Sequence, residues 1–261
     1  MSASEAPSQR ARDLRARYTV ADLQVLSADE TRRFVGDVRD PKLDLALAWE
    51  LLYRLEPELY DRLVRAERIH PAVFGWLPRG IDRIVEVGAG TGRLTLPLLD
   101  RAGEIVAIEP AAPLRELLIQ RLARAENGHR ARVVEGFFDY LPLPDEWSEL
   151  VVACSAFTPE AAHGGDAGLA EMERVCKPGG CVAIVWPNNL SWLAARGYRY
   201  VSFGDEEMFV EFASLDEAVE LTEIFYPGAA AEVRRRARRR VSFDTLGVNP
   251  PRDVAFKVMA G

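Results

Sequence analysis

No apolar run in this 261-residue sequence approaches the roughly 20 residues needed to cross a bilayer, so a membrane-spanning helix is not expected. The first ten residues, MSASEAPSQR, lack the apolar stretch of a secretory signal. The expected compartment is therefore cytoplasmic, with no membrane partner. Cysteine is scarce: Cys154, Cys176 and Cys181 are too few and too irregularly spaced for a disulfide framework or a zinc site. They lie in or beside apolar segments, where a reduced thiol behaves as a small hydrophobe, and no metal is expected. Positive charge is in deficit. A formal charge of −7 disfavours loose, sequence-independent binding to nucleic acid or anionic membrane. Repeats and low-complexity segments are missing apart from one arginine run, Arg234 to Arg240.

What is present suits a packed α/β protein. With 48% hydrophobic residues, a chain of this length forms one sizeable domain with an appended element, or two small ones. Residues 1 to about 12 suggest a disordered tail, and the pattern from there to residue 78 is helical, a cap. Ser27 followed by Glu30 has capping-box spacing and predicts a helix running toward Val38. A longer helical segment follows Pro41, with Leu45, Trp49 and Leu52 on one face; Pro57 should break it. After Gly80 the texture changes. IVEVG, EIVAIE, RVVEG, ELVVAC and CVAIVW are short Val- and Ile-rich runs, separated by the helical patterns TGRLTLPLLDRA, APLRELLIQRLARAE and AGLAEMERVC. That alternation predicts a parallel sheet covered on both faces over residues 79–261. RRVSFDTLGV and DVAFKVMA are joined by only a short Asn249-Pro250-Pro251 turn, so they should pair antiparallel and close the sheet with a C-terminal hairpin. Residues 187–232 hold more aromatics than a crossover requires, a candidate substrate-lining insertion.

The run Val85-Glu86-Val87-Gly88-Ala89-Gly90-Thr91-Gly92-Arg93 follows a strand and opens a helix. Gly88 and Gly90 allow a sharp turn and the close approach of a ligand to the backbone, so the bend is expected to leave its peptide groups bare. Glu109 ends the next strand about 20 residues on, where its carboxylate can accept both hydroxyls of a ribose. An adenosine cofactor is implied, NAD included. A dinucleotide fingerprint, however, wants its third glycine where Arg93 stands; here it is Gly92.

That spacing resembles the first motif of class I (Rossmann-like) S-adenosylmethionine-dependent methyltransferases. Val106 to Pro110 is similar to the second motif, Gly136 to Asp145 to the third, Leu150 to Ser155 to the fourth strand, and Glu173 to Gly180 to the turn into strand five. The ordered match covers residues 80–186. It implies a Rossmann-like, seven-stranded, mostly parallel sheet, the cofactor S-adenosylmethionine and methyl transfer; the C-terminal antiparallel hairpin agrees with the family's sheet, and the N-terminal helical cap is added to it. The aromatic lining over residues 187–226, with Tyr53 and Tyr60 of the cap, suggests a small-molecule acceptor. The resemblance places cofactor contacts at Glu86, Gly88, Ala89, Gly90, Thr91, Gly92, Glu109, Pro110, Leu114, Phe137, Phe138, Cys154, Ser155 and Tyr60. Phe137 stands where the family often has an aspartate for the adenine amino group. His163 follows the fourth strand and is the candidate general base, against a plain solvated histidine. The arginine run sits where a helix ends, so a solvated structural segment competes with binding of an acidic substrate or RNA. An RNA or protein methyltransferase, a non-catalytic binder of the same cofactor and an NAD-dependent oxidoreductase stand as alternatives.

Overall fold

The computed structural model describes residues 14–38 and 41–261; the tail expected over residues 1–12 lies outside them. The chain divides into two compact units, one formed by residues up to 68 with 206–250, the other by 69–205 with 251–261. The boundary expected at residue 78 and the insertion expected over 187–232 do not follow this division. Elements are numbered along the chain.

The helical unit begins with α1 (Ala28–Phe34), α2 (Leu45–Leu55) and α3 (Pro57–Ala66). Both halves of the predicted capping box form: the Ser27 amide donates to Glu30 at 2.7 Å and the Glu30 amide to the Ser27 hydroxyl at 3.2 Å. The helix stops at Phe34, short of Val38, ahead of Gly36 at φ 68°. Asp44 caps α2 by accepting from the Leu47 amide, and Leu47, Leu51 and Leu52 are buried. Pro57 breaks the run as expected and serves as the first residue of α3, where its missing N–H costs nothing. Buried Arg54 ties α1 to α2 through Glu30 and Glu50.

The same unit holds β7 (Phe209–Glu211), α9 (Leu215–Phe225), α10 (Ala230–Arg236), β8 (Arg240–Ser242) and the one-turn α11 (Phe243–Leu246). The expected hairpin is corrected here: β8 pairs antiparallel with β7, not with the terminal strand. Ser242 accepts from the Thr245 amide and starts α11, which Gly247 ends at φ 74°. RRVSFDTLGV is therefore a strand for three residues only, because a helix cap interrupts it.

The sheet unit comprises α4 (Pro71–Trp76), β1 (Ile81–Val87), α5 (Thr95–Leu98), β2 (Ala102–Ile108), α6 (Ala112–Leu122), β3 (Ala131–Val134), β4 (Ser148–Cys154), α7 (Gly165–Val175), β5 (Cys176–Val185), α8 (Leu190–Ala194), β6 (Arg199–Ser202) and β9 (Asp253–Val258). Its seven strands run in the order β3-β2-β1-β4-β5-β9-β6. Five are parallel, and β9 is antiparallel to both β5 and β6. The mostly parallel sheet with a terminal antiparallel pair is thus as expected, with Arg199–Ser202 as the strand beside β9. Alternation sorts the core. Ile84, Ile105, Leu150, Ala183 and Val254 pack on one face, and Val85, Val106, Val151, Val182 and Ala255 on the other. Both faces are dry, as a parallel sheet requires.

Candidate functional site

The strand order reverses direction between β1 and β4, and there the carboxyl ends of the strands form the crevice where α/β folds bind ligands. Val87 pairs with Ile108 of β2 and Ala153 of β4, so Gly88, Glu109 and Cys154 leave the sheet at one edge. Gly88 turns at φ 73°, and a Cβ there would lie 2.9 Å from that of Ala156. Only glycine fits. Gly90 turns at φ 55°. Gly92, at φ 97°, serves packing: its Cβ would lie 2.7 Å from a methyl of Leu118 on α6.

The bend is less bare than the sequence suggests. The Gly88 and Ala89 amides both donate to the Ile108 carbonyl, and the Gly92 amide donates to Ala89. The Gly90 amide donates to Glu109 at 2.8 Å. A phosphate-binding loop meets its anion with free N–H groups; four of the amides here are engaged within the protein. What the turn offers a ligand is glycine Cα surface rather than donors. That disfavours a pyrophosphate and with it the NAD alternative.

Glu109 is 5% exposed. Its second oxygen accepts from the Ala111 amide at 2.9 Å, so the carboxylate pins the glycine turn to the start of α6. An ionised carboxylate is an acceptor at both oxygens, the chemistry that a diol requires. Arg115 braces this corner by donating to the Glu109 and Pro110 carbonyls, a role that no sequence signal announced. Leu114 is buried beside it.

Glu86 lies on the opposite side of β1 from Val85 and Val87, 1% exposed, and accepts from the Thr95 hydroxyl at 2.5 Å. Burial pushes its carboxyl up to about 8; the Thr95 hydrogen bond and the Arg93 charge pull it down, while the Glu109 charge pushes it further up. Thr91 is buried, and its hydroxyl oxygen has no hydrogen-bond partner in the protein. An orphaned hydroxyl beside a glycine turn fits a site that awaits a polar ligand.

Phe138 stacks edge-on against Phe157 with ring centroids 4.9 Å apart, and its ring lies 3.5 Å from where a Gly88 Cβ would be. Phe157 is in turn seated by glycines: a Cβ on Gly164 or Gly168 would fall 2.5 or 2.7 Å from its ring. Sequence reasoning missed this seat for Phe157; the spacing of Gly164 and Gly168 was the available signal. Phe137 is half-buried, and its carbonyl accepts from the Tyr140 amide. Cys154 ends β4, paired with Val185. Ser155 and Trp186, the residues just beyond β4 and β5, both hold left-handed backbone at φ 53°, strain of the kind that gathers at functional sites. His163 sits half-buried in the loop after β4, with its carbonyl accepting from the Thr158 amide. Tyr60 belongs to α3 of the helical unit, packed edge-on against Tyr53 at 4.9 Å.

A family described as "methyltransferase domain" matches residues 84–180. An uncharacterized methyltransferase of Geobacillus kaustophilus is 31% identical over 147 residues, 54% of this chain and 65% of that protein. One of Mycobacterium tuberculosis is 29% identical over 49% of this chain and 50% of its own length. The chain thus spans half to two thirds of these relatives. A SAM-dependent methyltransferase structure from Aquifex aeolicus superimposes with a TM-score of 0.45 at 20% identity, over 61% of this chain and 94% of that one. Among the described residues, no helix is long and apolar enough to cross a membrane.

Proposed function

We propose that the protein transfers a methyl group from S-adenosylmethionine to a small-molecule acceptor, a reading supported by the match of residues 84–180 to a methyltransferase-domain family and by relatives that are methyltransferases. The observation that carries the reading is Glu109, buried at the carboxyl edge with its carboxylate fixed by the Gly90 and Ala111 amides.

Glu109 accepts from the ribose hydroxyls, and its fixed orientation means that no rotamer has to be ordered on binding. The Gly88–Gly90 turn lets the aminoacyl end approach the backbone. Thr91 supplies a hydroxyl, and Leu114, Pro110 and the Phe137–Phe138 segment flank the base, with aromatic contact in place of the aspartate that the family often has. Glu86 faces the turn from beneath, held by Thr95, and orients the loop. When bound, S-adenosylmethionine supplies a methyl group on a positively charged sulfur, a leaving group already activated. The chain's own contribution is then positioning and the exclusion of water, good for several kcal/mol of the barrier. His163 acts as base only if the acceptor atom carries a proton at working pH.

Two features support a small acceptor over RNA. The charge of −7 opposes a polyanion, and five of the six arginines in the run are engaged within the protein. Arg234 pairs with Glu223, Arg235 and Arg236 with Glu232, and Arg240 with Glu211, while Arg239 donates to the Phe212 carbonyl. Tritiated cofactor offered with a panel of small metabolites, and separately with bulk RNA and protein, tests this: label should pass to a small molecule. Transfer to RNA alone would refute the small acceptor.

A further inference from the structure

Asp253 opens β9 and is 7% exposed. One carboxylate oxygen accepts from the Tyr200 hydroxyl at 3.0 Å. The other, Oδ1, is buried and meets no hydrogen-bond donor from any other residue. Buried polar atoms are almost always met, and an unmet carboxylate oxygen is among the costliest exceptions. Burial moves this carboxyl above the usual aspartate range, against the pull of the Tyr200 hydroxyl, its own amide and the Arg252 charge. Nothing in the methyl-transfer reading uses it.

Its place in the fold gives it a use. β9 runs antiparallel to β5, with Val254 opposite Val185, and the Trp186 amide donates to the Asp253 carbonyl at 2.9 Å. Asp253 also faces Ser202 at the end of β6. It therefore stands on the same carboxyl edge as Gly88, Ser155 and Trp186, two strands over from β4. At about 4.8 Å per strand that is about 10 Å from the end of β4, the length of a small metabolite. Side-chain alternation along β9 puts Asp253 on the face of Ala255, the face that also carries Phe138 and Phe157. The residue beside it, Trp186, is held in left-handed backbone.

We propose that Asp253 anchors the methyl acceptor, and that the acceptor carries a protonated amine which donates to Oδ1. This rests on the methyl-transfer reading of the glycine-turn site. An ammonium group supplies several donors and neutralises the carboxylate, which a hydroxyl does not do. The anchored nitrogen lies away from the atom that takes the methyl group, since the two positions are separated by the width of β5. Tyr200 is a positioning residue that fixes the second oxygen.

The test uses the full chain saturated with S-adenosylhomocysteine and three probes of one shape: phenethylamine, 2-phenylethanol and 3-phenylpropionate. Phenethylamine should bind saturably, the other two at least about tenfold more weakly, because a hydrogen bond to a charged group is at stake. Asp253→Asn should reduce amine affinity at least about tenfold and Tyr200→Phe about threefold. S-adenosylhomocysteine affinity should stay within about twofold in both variants, since the sites share no partner; that titration also confirms folding. Equal binding of the three probes, an Asp253→Asn variant that binds the amine as the wild type does, or an ordered water alone on Oδ1 in an amine-soaked crystal would overturn the inference. If S-adenosylhomocysteine binds and the amine does not, only the anchor falls. If S-adenosylhomocysteine itself does not bind, both readings fall.

Discussion

Replacing Glu86 by glutamine should remove a pH dependence of stability that the wild type carries. The Glu86 carboxyl titrates near 8 in the folded chain against an ordinary 4.5, because it is buried on β1. Between those values the native state holds a proton that the unfolded chain has released, so stability falls as pH rises. The contribution of the neutral acid is complete below about 4.5 and is lost as pH climbs through 8. At about 1.4 kcal/mol per pH unit, the interval corresponds to ~5 kcal/mol at most. Glutamine has the same shape, carries no charge, and its carbonyl can accept from the Thr95 hydroxyl that now bonds Glu86 at 2.5 Å. Urea unfolding of both proteins, without cofactor, between pH 5 and pH 9 reads the effect. The two should be nearly equal in stability at the acid end, with the variant increasingly more stable toward the alkaline end. Parallel curves would show that Glu86 is ionised in the folded chain, and the electrostatics argued for the turn would be wrong.

Glu109→Gln places an amide nitrogen against one of the two backbone N–H groups that the carboxylate now accepts from. Folding stability should fall by ~1–3 kcal/mol and cofactor affinity by about 10- to 100-fold, read by urea unfolding and calorimetry. Gly168→Ala, inside α7, would ordinarily stabilise a helix by up to ~1 kcal/mol. Here the new Cβ falls 2.7 Å from the Phe157 ring and 3.2 Å from the Phe138 Cβ, so we expect a loss of ~1–3 kcal/mol instead, measured as a lower urea midpoint.

The parts of the fold that sequence made legible are those with strong local chemistry. The glycine turn, the five Val- and Ile-rich strands, the Ser27 capping box and the break at Pro57 each depend on neighbours within a few residues. The parts that stayed hidden depend on distant partners. Arg199–Ser202 is a mostly exposed edge strand, so it lacks the apolar signal that marked the others. RRVSFDTLGV is an exception: its cap is local, Ser242 accepting from the Thr245 amide, but the Val-Ser-Phe run around it carries the stronger strand signal. The two-segment helical unit joins residues 155 and 159 apart, through Arg62 to Glu217 and Tyr226 to Glu67, and no periodicity encodes such a pairing. At the site, the glycines and Glu109 were visible. The engagement of the turn's own amides by Ile108, and the seating of Phe157 between Gly164 and Gly168, follow from geometry alone.

The measurement that bears most directly on the cofactor site is a calorimetric titration of the purified chain with S-adenosylhomocysteine, with NAD in a parallel cell. Saturable one-to-one binding of the nucleoside thioether, displaced by S-adenosylmethionine and accompanied by silence from NAD, is the predicted result. No heat from the thioether at millimolar concentration, or binding that Glu109→Gln leaves untouched, would contradict it.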